Sequence, residues 1–400
     1  MDTNFEAFDV CIVGGSIAGN FLCYLLSDTN LNISVIEEHE SIGLPFQCAG
    51  IVSQKLGNLI NLPDKIISNR VKIAKIVAPK GKYIKLSGTE SPYIINRVAL
   101  DQIFYNKVKS KSNIFYFLGE KYKSFEYKKE KGRSFILIRT DKRIIKARML
   151  IGCDGPLSRV GKQLNVKQKL LYATQIRING HFNENEAVMY FNPRWKELFG
   201  WIVPEGKKIF RIGLATTTGL NINFKLFLKK LGIKYEHKID QQGGLIPFGT
   251  MNKLAFDNIL LLGDAAGQVK ATTGGGIIML LKAAKVASNC IRSCFKKNDF
   301  SKRFLKKSYE MLCKKAIGRE LKIHFLIRLI LMRFSNKDFE TFFQVIKTHH
   351  IEKLITLYGD MDFPKKMVIK LIKNPFVLQF LFRFLVKNPL IVFTALKLLT

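Results

Sequence analysis

A chain of 400 residues with 47% hydrophobic content buries a large core and exceeds the usual size of one domain, so two or three domains sharing one body are expected. Its 65 Lys and Arg against 31 Asp and Glu give a formal charge of +34, spread along the chain rather than gathered into a tail. That charge suits an anionic membrane surface, an acidic protein partner, nucleic acid or a solvated surface with no partner; zinc-finger spacing, an RNP-like strand and an arginine-rich segment are all missing, so no nucleic-acid partner is expected.

The seven cysteines, Cys11, Cys23, Cys48, Cys153, Cys290, Cys294 and Cys313, form no paired CxxC framework, which fits a reduced, cytoplasmic setting. The six histidines lack metal-ligand spacing, and no metal is expected. "MDTNFEAFDV" carries acids and no apolar core, unlike a signal peptide. No run approaches 18 uncharged apolar residues; Arg383, Lys387 and Lys397 interrupt the apolar C-terminal stretch, which argues against a membrane-spanning helix.

In chain order, "FDVCIVGGSIAGNFLCYLL" reads as a short apolar strand, a glycine turn and a helix with apolar residues at helical spacing. "NISVIEE" supplies a second strand ending at Glu37, about twenty residues beyond the glycines, where a carboxylate can accept hydrogen bonds from a ribose. Gly14 permits the turn and Gly19 lets helix and strand approach, while Ser16 stands where a dinucleotide fingerprint has its middle glycine. The alternative is a plain strand and helix joined by a glycine turn. Next, "GLPFQCAGIVS" places Pro45, Cys48 and Gly50 where such a fold would simply begin its next helix. "INRVALDQIF" puts Arg97 and Asp101 near a helix start, and "ARMLIGCDGPLSRVGK" ends an apolar strand at Cys153-Asp154-Gly155.

In "FGWIVPEG", Phe199, Trp201 and Val203 alternate along a strand, either as pocket wall or as the apolar face of a half-buried strand. "FDNILLLGDAAGQVKATTGGGIIMLLKAAKVAS" then gives an apolar strand, Gly263-Asp264, a loop, and Gly274 to Gly276 opening a long helix. Asp264 can hold a ribityl hydroxyl, and the bare amides and dipole of the helix start suit an anion such as a reduced flavin. From about Asp299 the pattern is helical, with Lys and Arg among Leu, Ile and Phe. These helices either pack on the catalytic body or rest a basic, aromatic face on anionic lipid.

Taken together, these segments resemble FAD-dependent enzymes of the p-hydroxybenzoate hydroxylase topology. Within that class the chain looks most like the geranylgeranyl reductase family, especially the archaeal digeranylgeranylglycerophospholipid reductases. "PFQCAG" matches that family's PxxCxxG motif, and "FGWIVPEG" resembles YxWxFPxG with Phe199 for Tyr and Val203 for Phe. "GGLIPFG" and "GDAAGQVKATTGGGI" also resemble family segments, the latter with Ala271 or a neighbour in place of a proline. The resemblance runs from about Phe8 to Ser288.

It implies that Ala18, Glu37, Cys48, Ala49, Arg97, Asp264, Gly276 and Ile277 contact FAD, beside Gly14, Ser16, Gly19 and Gly50, and that Trp201 and Pro204, with Phe199 and Val203, line an isoprenoid pocket. The implied fold is α/β, or α+β overall: an FAD-binding Rossmann-like domain (1–170 and 256–298), an inserted antiparallel-sheet substrate domain (171–255) and a helical C-terminal region (299–400). The implied activity is saturation of C=C bonds in geranylgeranyl chains of membrane ether phospholipids or their precursors, a CH–CH oxidoreductase on the inner face of the cell membrane. Cys48 is either the chemical partner of the flavin or a small packing residue against it. Electrons would come from ferredoxin or NAD(P)H; no second dinucleotide fingerprint is present. The alternative is a monooxygenase or NAD(P)H oxidoreductase of the same topology acting on a small aromatic or quinone.

Overall fold

The structure is a computed structural model, and it describes residues 5–399 apart from 89, 131 and 252. The first four residues of the N-terminal stretch read above lie outside the described ones. Two large sheets organise the chain.

The first is built on parallel strands. Glu6–Val13 lies between Ile33–Glu37 and Ile144–Gly152, Ile114–Leu118 extends the sheet on one side, and Ile259–Leu261 pairs with the end of Ile144–Gly152 on the other. A hairpin, Tyr122–Glu130 and Arg133–Thr140, adds antiparallel strands to the start of Ile144–Gly152. Parallel strands require both faces covered. Accordingly "VCIV" in Glu6–Val13 and all of Ile259–Leu261 are buried, and helices Ile17–Leu26, Arg97–Val108 and Ile277–Lys297 pack side by side, Phe21 meeting Phe104 edge to face at 4.8 Å. Because these strands run the same way, Val13, Glu37, Gly152 and Leu261 all end at one edge, where open α/β sheets bind ligands.

The second sheet has seven strands, in the order Lys238–Phe248, Lys169–Asn179, Ile209–Thr216, Gly200–Gly206, Glu186–Tyr190, Ile73–Val77 and Tyr83–Leu86. It is antiparallel except where Glu186–Tyr190 meets Ile73–Val77. The chain therefore visits this sheet at 73–86, well before the boundary at 170 read from the sequence. One face packs on helix Leu220–Lys230 through Ile202, Phe210 and Ile212 against Phe224 and Phe227. The opposite face carries Phe199, Trp201, Val203, Leu171 and Phe248 toward the first domain. Gly200–Gly206 is thus a central strand buried on both faces, not a half-buried one.

The C-terminal region is helical from Lys302 onward. In its first helix Leu305, Tyr309, Cys313, Ile317 and Leu321 are all buried at a spacing of four, which drifts off a face that repeats every 3.6 residues. Two wide π turns, Lys306–Glu310 and Lys314–Gly318, absorb the difference. They turn Tyr309 inward, where its hydroxyl donates to Leu261 O at 2.7 Å.

Candidate functional site

At the ligand-binding edge the glycine turn is held by its own strand ends. Gly14 N–H donates to Ile36 O at 2.8 Å, and Gly15 N–H to Glu37 Oε2 at 2.7 Å. Gly14 has φ +104, the left-handed region. A Cβ on Gly19 would collide with the Gly14 carbonyl oxygen, so the helix reaches the turn only because that position is glycine. Ser16 is exposed at the helix start, and its side chain makes no cap, which leaves the first-turn amides free for an anion. Glu37 also accepts from His39 N–H and faces the His39 ring, occupying three of about four acceptor positions on its carboxylate.

Three further groups assemble alongside. The Gly263–Asp264 turn abuts Ala18, whose Cβ lies 3.0 Å from where a Cβ on Gly263 would stand. Asp264 Oδ1 lies 3.5 Å from the equivalent point on Gly276, and Gly276 leads helix Ile277–Lys297 with no side-chain cap. Arg97 pairs with Asp101 at 3.1 Å, both largely buried. Burial opposes the charge on Arg97, but Asp101, Cys48 and Asp264 together raise its pKa, which puts all three in its field. Arg97 Nη1 and Asp101 Oδ1 face each other at 3.1 Å as an ion pair without a hydrogen bond of good geometry.

The "PFQCAG" loop bridges the two domains. Gly50 N–H donates to Cys48 Sγ at 3.3 Å, and Gln175 Nε2 donates to Cys48 O at 3.0 Å. Gln175 Oε1 in turn accepts from the Trp201 indole at 3.1 Å. Arg211, 2% exposed, donates to Ala49 O at 2.8 Å and to Glu205 at 3.0 Å. A Cβ on Gly50 would strike that guanidinium. Ala49 and Ile51 pack into the apolar cluster formed by Phe199, Trp201 and Val203. Pro204, next along the strand, alternates to the face of Ile202, and its carbonyl accepts from Asn69 Nδ2 at 3.1 Å. It is not brought together with the other three.

The C-terminal region holds the loop before Gly276. Arg328, fully buried, donates to Ala271 O, Thr272 O and Leu198 O at 3.0, 2.6 and 3.2 Å. Burial brings its pKa down to about 9, with Glu197 opposing. His324 meets Thr272 Oγ1 at 2.6 Å and is pushed down to about 4 by burial and by Lys270. Lys270 pairs with Asp362 at 2.6 Å, and Ser53 donates to the other Asp362 oxygen at 2.5 Å.

Gln175, Arg211, Lys270, Arg328 and Asp362 are the residues that sequence reasoning missed. For Gln175, Arg211 and Arg328 the available signal was a polar side chain inside an apolar run, as in "YATQIRI", "IFRIGLA" and "HFLIRLIL"; Lys270 and Asp362 carry none. Such a residue, once buried, must be satisfied by something specific.

The whole arrangement is that of a flavoprotein: the model of the FAD binding domain family matches residues 7–213, and the chain belongs to that family. Its relatives narrow the resemblance. It is 27% identical to an uncharacterized protein of Methanocaldococcus jannaschii over 93% of this chain and 96% of that one. It is 26% identical to digeranylgeranylglycerophospholipid reductase 2 of Methanothermobacter thermautotrophicus, over 90% and 98%. The structure of a geranylgeranyl bacteriochlorophyll reductase-like protein from Thermoplasma acidophilum shares the fold with a TM-score of 0.80, at 20% identity, over 95% of this chain and all of that one.

FAD fits the residues present. Ser16 with the first-turn amides suits its pyrophosphate, Glu37 its ribose, Asp264 its ribityl hydroxyls, and the start of helix Ile277–Lys297 its ring system. Burial raises Asp264 to about 6, against the pull of Arg97. A raised carboxylate favours the protonated form, so without ligand this group costs stability as pH rises from about 4 through about 6. A hydroxyl donating to the carboxylate reverses the preference. FAD binding should therefore release a proton near pH 5.5, and affinity should rise up to about tenfold per pH unit below pH 6, then level off. Calorimetry in buffers of different ionisation enthalpy checks this; in Asp264→Asn the dependence should vanish.

Proposed function

We propose that this flavoprotein saturates isolated C=C bonds in geranylgeranyl chains of membrane ether phospholipids or their isoprenoid precursors. The observation that carries the reading is the apolar cluster joining Phe199, Trp201 and Val203 to Ala49 and Ile51, beside Cys48. An isolated alkene is a poor hydride acceptor, so the reaction needs a dry wall that holds the double bond and a proton source for the second carbon. Reduced FAD, when bound, would supply the hydride, which carries both electrons to the alkene and would leave the flavin oxidised.

The chain's own residues do the rest. Phe199, Trp201 and Val203 exclude water from the alkene. Cys48, its backbone fixed by Gln175 and its sulfur by Gly50 N–H, holds a proton at Sγ within the field of Arg97. Electrons come from ferredoxin or NAD(P)H. The charge of +34 favours an acidic protein donor, whose electron delivery would fall steeply with salt.

The test is anaerobic incubation of the FAD-loaded protein with dithionite and a geranylgeranylated glycerophospholipid, read by mass spectrometry. The expected result is stepwise gain of hydrogen pairs. Cys48→Ser should keep FAD and lose about a hundredfold or more in rate, the scale of one proton-transfer group. No mass gain with fully reduced protein would overturn the reading, and hydroxylation of an aromatic substrate under oxygen would replace it with a monooxygenase.

A further inference from the structure

From Pro364 to Thr400 the chain carries seven Lys or Arg and no acid. Helix Pro375–Val386 buries Val377, Phe380 and Phe384 on the body. Its opposite face shows Phe376, Leu378, Phe382 and Val386 to solvent, and helix Pro389–Leu399 continues that surface with Leu390 and Phe393; Phe382 and Phe393 are 68% and 69% exposed. Exposed apolar side chains at this density, interleaved with cations, mark a contact surface rather than a solvated one. No single described helix is long and apolar enough to cross a membrane, and the two helices are bent by 102° at their junction. A pair so bent, apolar on one side and basic throughout, suits a position in the plane of a bilayer interface.

The buried side of this pair leads to the candidate pocket. Rings follow one another from Phe384 to Phe334 (4.9 Å), Phe339 (5.2 Å), Phe191 (5.5 Å), Phe199 (5.8 Å) and Trp201 (6.5 Å). These rings are packed against one another in the core, so they fasten the pair of helices to the wall that carries Trp201.

We propose that the last two helices dock the protein on an anionic bilayer surface, with Phe376, Phe382, Leu390 and Phe393 in the acyl boundary and Arg383 and Lys387 at the headgroups. Docking then delivers the isoprenoid chains of lipids in that bilayer to the side of the protein that is packed, ring on ring, against the Trp201 strand. This delivery step rests on the isoprenoid reading above; the docking does not.

The experiment uses the full-length FAD-loaded protein and two vesicle types, phosphatidylcholine alone and phosphatidylcholine with phosphatidylglycerol, read by co-sedimentation. The wild type should bind the anionic vesicles and release in high salt. Phe382→Asp with Phe393→Asp should bind at least about tenfold more weakly, since both insert apolar area. That double variant should keep its FAD and its rate on detergent-dispersed substrate. Equal binding by the double variant, or no wild-type binding to either vesicle, overturns the docking. A wild-type dimer that the double variant splits, without vesicle binding, also overturns it and makes the face a self-association surface. Vesicle binding without any alkene reduction leaves docking intact and removes only the substrate reading.

Discussion

Replacing Lys270 by Met should destabilise the protein by about 3–5 kcal/mol, the cost of leaving one partner of a buried ion pair uncompensated. Lys270 and Asp362 are 5% and 1% exposed and sit 2.6 Å apart. Lys270 Nζ also donates to Met361 O at 2.9 Å, and His324 meets Asp362 O at 3.0 Å. With the ammonium gone, the Asp362 carboxylate keeps only the Ser53 hydroxyl. The damage should extend beyond stability, because Lys270 belongs to the loop leading into Gly276 and ties it to a segment some ninety residues later. The expected readouts are a fall in thermal midpoint on the order of 5 °C and faster FAD loss. The double variant Lys270→Met with Asp362→Leu should recover most of the midpoint, since it removes both charges. A single variant as stable as the wild type would mean that the pair contributes nothing net.

Gly19→Ala should weaken FAD binding severely. The added methyl collides with the Gly14 carbonyl oxygen and stands 3.1 Å from Ile12 Cγ2. Neither can yield cheaply: Ile12 is fully buried, and the turn is fastened on both sides, by Gly15 N–H to Glu37 and by Asn20 Nδ2 to Gly15 O at 2.6 Å. Relief requires moving the helix off the strand end, at about 1–3 kcal/mol for overpacking. It also displaces the amides meant for the pyrophosphate, so FAD affinity should fall by roughly a hundredfold or more. Gly57→Ala, where a Cβ would meet nothing within 4 Å, is the control and should stay within about 0.5 kcal/mol of wild type. A Gly19→Ala protein that holds FAD as tightly as the wild type would refute the close-approach argument.

These two positions differ in how far the sequence announces them. Gly19 sits in a periodic strand–turn–helix segment whose spacing is local, so both its fold and its role could be read directly. The placement of Glu37 and of the Gly263–Asp264 turn is legible in the same way, each set by the strand it ends. Lys270 was illegible because its partner lies 92 residues away in a segment with no periodic signal. Arg328 looked like one more cation in a basic helix and is instead fully buried on three carbonyl oxygens. The second sheet was legible as strands but not in its membership: nothing in the alternation of Ile73–Val77 says that it will pair with Glu186–Tyr190. Strand alternation also separates Pro204 from Trp201 and Val203, a distinction that a linear motif does not express.

The single amide of Gln175 joins the Trp201 indole to the Cys48 carbonyl, spanning two domains through one side chain. Bulk at position 201 and aim of the thiol are therefore coupled. A smaller residue at 201, introduced to admit a bulkier chain, would remove one anchor of Gln175 and leave Gln242 Oε1, at 2.5 Å, as the side chain that keeps its amide aimed at the cysteine loop. Selection for new substrates along this strand would meet a trade-off whose size Gln242 sets, and variants that keep Gln242 in place would be the ones to escape it.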